Sequence, residues 1–149
     1  MKFNNWVEYT DDVLRLEYYL EYEIRRWRYQ YCDPFPTFED FKEAVKKAPR
    51  IIVTPELDKI IRNRSRTRTF DELLALIKTY RGYPKFRNEK TLQAIYDGFK
   101  NNKPMKMPIV LELPDGTLRV MSGNTRMDVA FQLGINPKVI LVKVPDRCH

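Results

Sequence analysis

An α+β fold, a small mixed sheet flanked by helices with a helical N-terminal extension, is predicted by three features of the chain. Residues 107–144 alternate short β-branched runs with turn signals and one helical segment. Residues 10–31 and 89–100 carry apolar side chains at helical spacing. Pro, Gly and small polar residues separate these tracts at short intervals, with no internal repeat or low-complexity stretch.

The first element is a long helix over Thr10–Tyr31. Val13, Leu16, Leu20, Ile24, Trp27 and Tyr31 recur along one face, Asp11 and Asp12 suit the positive end of the helix dipole, and Arg25, Arg26 and Arg28 suit the negative end. Tyr18, Tyr19, Tyr22 and Tyr29 widen the aromatic surface, which suits a core or a partner helix and could also stack on bases. Asp33-Pro34-Phe35-Pro36 ends the helix, and Thr37 is placed to cap a second one whose face is Phe38, Phe41 and Val45, up to Ala48. Pro49 stops it, Arg50–Val53 is a brief strand, and Thr54-Pro55-Glu56 starts another short helix with Pro at its first position.

Arg62-Asn63-Arg64-Ser65-Arg66-Thr67-Arg68 is the strongest charge signal. In an extended segment alternate residues face the same way, so Arg62, Arg64, Arg66 and Arg68 would form one cationic edge suited to a nucleic-acid backbone or a triphosphate. The alternative is a solvated loop whose charges pair with nearby acids. Thr69-Phe70-Asp71-Glu72 reads as a capping box opening a helix to about Tyr80, ended by Gly82. Lys85 and Arg87 lead into the helix Glu89–Lys100, whose buried stripe is Leu92, Ile95, Tyr96 and Phe99.

The most informative tract follows. Pro108–Leu113 and Thr117–Met121 flank the turn Pro114-Asp115-Gly116 and read as a β-hairpin. Ser122-Gly123-Asn124-Thr125 breaks the strand, Arg126–Leu133 is helical, Gly134 follows the helix, and Val139–Val144 is a third strand. A helix that begins just after a strand presents unpaired N–H groups and the positive end of its dipole. Such an end holds phosphate, Gly123 lets backbone approach it closely, and Arg126 supplies a planar fork. The plainer alternative is a capped helix with Arg126 in solvent.

The ordered set Pro108-Ile109-Val110, Asp115-Gly116, Ser122-Gly123-Asn124-Thr125-Arg126, Leu133-Gly134 and Val139–Val144 resembles the ParB/sulfiredoxin-like superfamily, over roughly residues 86–144. The preceding helix and the polar loop Asn101-Asn102-Lys103-Pro104 fit the same order. On that resemblance residues 86–149 are the core and residues 1–85 an added helical layer carrying the basic segment 62–68, the two together one compact domain. The resemblance implies that Gly123, Asn124, Thr125 and Arg126 bind the phosphates of ATP or CTP with Mg²⁺. Family activities include nucleotide binding in partition proteins, sulfinic acid reduction, phosphoryl transfer to free serine, and members described as nucleases. The sulfiredoxin branch needs Cys before His-Arg; Asn124 and Thr125 stand there, which excludes that chemistry and any step needing the loop histidine. Glu56 and Asp58 fall where the serine-kinase branch places its acidic base, and are the candidate catalytic carboxylates.

Size and composition bound the rest. The chain has 149 residues, 43% hydrophobic and 13% aromatic, enough for one domain with a real core. A net charge of +7 points to a polyanionic partner. No apolar run reaches transmembrane length and the first residues lack a signal-peptide block, so a cytoplasmic protein without membrane contact is expected. Cys32 and Cys148 give neither metal-ligand spacing nor a disulfide framework, and the one histidine, His149, supports no Ser-His or Cys-His catalysis. There is no Walker A or Rossmann fingerprint. Three readings stand: a nucleotide-dependent kinase, phosphohydrolase or nuclease acting on a nucleotide or nucleic acid; a non-catalytic DNA- or RNA-binding regulatory module; and a protein-interaction factor that has lost catalysis.

Overall fold

The computed structural model describes residues 2–20, 22–62, 69, 71–73, 75 and 89–148. Within them the order is β1 (Trp6–Val7), α1 (Asp11–Leu20), α2 (Tyr22–Gln30), α3 (Phe38–Lys47), β2 (Arg50–Ile52), α4 (Pro55–Arg62), α5 (Glu89–Lys100), β3 (Met105–Lys106), β4 (Ile109–Glu112), β5 (Leu118–Ser122), α6 (Asn124–Gln132) and β6 (Lys138–Lys143). The fold is α+β, as the sequence predicts. The hairpin, the helix after it and the final strand all stand where their patterns place them. Arg64, Arg66, Arg68, Lys85, Arg87 and most of the helix expected to reach Tyr80 lie outside the described residues. The capping box that opens that helix is present: Thr69 N–H donates to Glu72 Oε1 and Glu72 N–H to Thr69 Oγ1, each at 3.2 Å.

Four strands form a mixed sheet in the order β2-β6-β4-β5. β6 lies antiparallel to β2 and parallel to β4, and β4 pairs antiparallel with β5. Period-two alternation sends neighbouring residues to opposite faces. Ile109, Leu111, Ile140 and Val142 meet Tyr18, Trp27 and Phe41 from the N-terminal helices and Phe35 from the loop between α2 and α3. Val110 and Val139 face the other way, onto Ile61 of α4 and Met127 of α6. Burial on both sides explains why β4 and β6 read as unbroken apolar runs. α5 packs beyond α6 through Leu92, Phe99, Val129 and Ala130.

The segments before residue 86 are woven into this sheet through β2. A second, two-stranded parallel sheet joins β1 to β3, with Trp6 opposite Met105 and Val7 opposite Lys106. Two-residue strands carry too little periodicity to be read from sequence. In α1 the buried face also differs from the expected one: Leu14 and Tyr18 are buried, whereas Leu16 and Leu20 are 59% and 67% exposed. Tyr18 takes the core position because its ring stacks on Phe41 at 5.6 Å and its hydroxyl donates to the Phe35 carbonyl at 2.5 Å. A tyrosine buried with its hydroxyl satisfied displaces leucine at little cost.

The cysteine expectation is corrected. Cys32 and Cys148 are joined by a disulfide across a sequence separation of 116 residues. Two cysteines so far apart give no spacing signal, and their approach depends on tertiary structure.

Candidate functional site at the start of α6

β5 ends at Ser122 and α6 begins at Asn124, so one residue turns the chain from sheet to helix. That residue is Gly123, with φ 101° and ψ 19°. Left-handed backbone of this kind costs an L-residue roughly 1–2 kcal/mol and costs glycine nothing comparable. Space imposes the same choice. A Cβ on Gly123 would lie 2.7 Å from Pro108 Cβ and 2.9 Å from an Arg126 Nη atom. Gly123 makes no side-chain cap to α6, and its carbonyl accepts the Met127 N–H at 2.9 Å. The N–H groups of the first turn therefore have no side-chain acceptor at the cap position.

Arg126 folds back over this corner. One Nη donates to the Tyr9 hydroxyl at 2.8 Å, and the Tyr9 hydroxyl lies 3.5 Å from Ser122 Oγ. Arg126 Nε is buried with no hydrogen-bond partner. Tyr9 is delivered by the β1–β3 pairing, in which Met107 N–H donates to the Val7 carbonyl at 3.1 Å. Burial pushes the Tyr9 hydroxyl above the ordinary tyrosine range, and the charge of Arg126 pulls it partly back. Sequence reasoning missed Tyr9, since nothing in MKFNNWVEYTDD marks one tyrosine as the neighbour of a loop more than a hundred residues away.

A second cluster holds the other flank of the helix start. Arg62 closes α4 instead of opening an extended basic run, and its side chain is 4% exposed. Nε and Nη2 grip the two oxygens of Asp58 at 2.6 and 2.7 Å, the forked geometry that makes arginine–carboxylate pairs strong. Nη1 pairs with Asp128 at 2.7 Å and donates to the Asn124 carbonyl at 3.3 Å. The structure thus brings Asp58 and Arg62 to the Gly123–Arg126 corner, but turned toward each other. Glu56 is exposed in the first turn of α4.

This arrangement bears on the carboxylate chemistry and on Mg²⁺. Both oxygens of Asp58 already accept from one guanidinium, which opposes a role as free base. Asp58 and Asp128 converge, but the Arg62 guanidinium occupies the place between them that a divalent cation would take. Among the described residues no group of three or more His, Cys, Asp or Glu side chains is placed to hold a metal ion, so these residues do not fit the expected Mg²⁺ site. What the corner offers is donors: a guanidinium, a helix start and the hydroxyls of Tyr9 and Ser122.

Among the described residues no helix is long and apolar enough to cross a membrane. No protein-family model matches the chain, and neither a curated protein nor a solved structure matches it.

Proposed function

We propose that this chain binds the phosphates of a nucleoside triphosphate, ATP or CTP, at the start of α6, as the resemblance to ParB/sulfiredoxin-like proteins implies. The observation that carries the reading is the corner itself. Its cap is a left-handed glycine without a capping side chain, and the arginine folded over it keeps a buried Nε unpartnered. An anion seated there would take up donors that protein groups leave unused. Gly123, Asn124 and Thr125 would contribute backbone, and Arg126 its fork.

Binding is supported better than transfer. Phosphoryl transfer needs a group to orient the nucleophile, besides clamps on the phosphates. Tyr9 and Ser122 supply hydroxyls but no base, and both oxygens of Asp58 are engaged by Arg62. That closed pair favours, as second reading, a non-catalytic module in which the same corner grips one phosphate of DNA or RNA.

Isothermal titration of the full chain with ATP, CTP and inorganic triphosphate, with and without Mg²⁺, tests the proposal. Arg126→Ala is expected to weaken triphosphate binding by about tenfold to a hundredfold, the loss of one charge-assisted hydrogen bond. No binding by the parent chain, or equal binding by the variant, would refute it. Duplex binding that falls steeply with salt and weakens in Arg64→Ala/Arg66→Ala would favour the second reading.

A further inference from the structure

The disulfide stands apart from the α6 corner. It ties the residue after α2 and Tyr31 to the tail that follows β6. Both Cys32 and Cys148 are exposed, so an external thiol can reach the bond. The turn it closes is held by the Asp33 N–H, which donates to the Arg28 carbonyl at 2.9 Å. Cys32 and Asp33 are consecutive non-glycine residues in left-handed backbone, φ 57° and 55°. Asp33 Oδ1 and Arg28 Nε make an ion pair at 3.7 Å, with no hydrogen bond to either atom. On the tail side, Val144 is secured by its N–H bond to Glu112 at 2.9 Å. Beyond it, a backbone bond returns to the turn, from Arg147 N–H to the Tyr31 carbonyl at 3.1 Å, and Cys148 Sγ lies 3.6 Å from the Gln30 carbonyl. Residues of both tied segments, Pro34 and Phe35 from one and Pro145, Asp146 and Arg147 from the other, line a cavity of about 670 Å³.

We propose that Cys32–Cys148 is a thiol–disulfide exchange site at which a dithiol reductant releases the tail and opens that cavity. A thiolate of the reductant attacks Cys32 Sγ; the sulfur–sulfur bond breaks and Cys148 leaves as thiolate, then takes a proton from water. Cys148 is the better leaving group because Cys32 follows the negative end of α2, which disfavours a thiolate there. The reductant's second thiolate attacks the mixed disulfide, forms the reductant's own disulfide and frees Cys32 as a thiol. Two electrons and two protons pass to the protein. β6 stays in the sheet, since its bonds to β2 and β4 do not involve the tail.

The test uses the full chain equilibrated with oxidised glutathione or with dithiothreitol under native conditions. Thiol titration should count none in the first state and two in the second. Amide exchange read by NMR should rise at least tenfold at Arg147 on reduction while Val139–Val142 remain protected. Cys148→Ser should show the fast Arg147 exchange in both buffers, and Cys32→Ser serves equally if that variant does not fold. Absence of the bond in oxidised glutathione, resistance to dithiothreitol without denaturant, or equal Arg147 exchange in both states would each overturn the proposal.

Discussion

Gly123 concentrates two constraints at one atom: a backbone only glycine adopts readily, and no room for a methyl between Pro108 and Arg126. Gly123→Ala is expected to lower unfolding free energy by about 1–3 kcal/mol in urea titration, from the left-handed penalty with the clash added. Tyr9 carries a pH signature. Its hydroxyl is raised from the ordinary 10.0, so the folded state holds that proton more tightly than the unfolded chain. The associated stability is complete below pH 10 and is lost as pH rises through the folded value. Tyr9→Phe should remove that part of the alkaline loss, read as the difference between the two chains' melting temperatures above pH 10. With Arg126 changed to Ala, Tyr9 should ionise at still higher pH, visible in ultraviolet absorbance.

At the scale of elements, α4 and α6 are bound together through Arg62. Replacing it by Met would leave Asp58 and Asp128 buried with their shared counter-charge gone, and about 3–5 kcal/mol of stability should be lost on denaturant titration. α3 offers a milder check: Thr37 and Asp40 form a reciprocal capping box, and Thr37→Ala should cost about 1 kcal/mol. These local devices were legible. Capping residues, the hairpin turn and the glycine after the last helix announce themselves through backbone chemistry within a few residues. Contacts between distant segments were not. The burial of Arg62 depends on two carboxylates, one of them 66 positions away by residue number, and an arginine in RNRSRTR looks like its neighbours. The α1 face failed for a related reason, since helical spacing fits Leu14–Tyr18 and Leu16–Leu20 alike and only the packing of α3 decides between them. At the candidate site, Gly123 and Arg126 were visible through their spacing, whereas Tyr9 follows a strand too short to leave a pattern.

For the molecule as a whole, the long loop closed by the disulfide sets a stability scale. In the chain-entropy picture a cross-link spanning 116 residues is worth up to about 5 kcal/mol. Chemical denaturation of oxidised and reduced chain should differ by several kcal/mol, and the reduced chain should remain folded because neither cysteine belongs to the cores on the two sides of the sheet. The strand order carries a consequence for biosynthesis. Among the described residues β6 is the last strand in sequence order, yet it is the one inserted between β2 and β4. While the ribosome still holds it, β2 lacks its only strand partner among the described residues, and the β4 edge of the hairpin is open. Nascent chains halted before residue 138 should thus be bound by chaperones and cut readily by protease, and protection should arrive in one step once Lys138–Lys143 emerges.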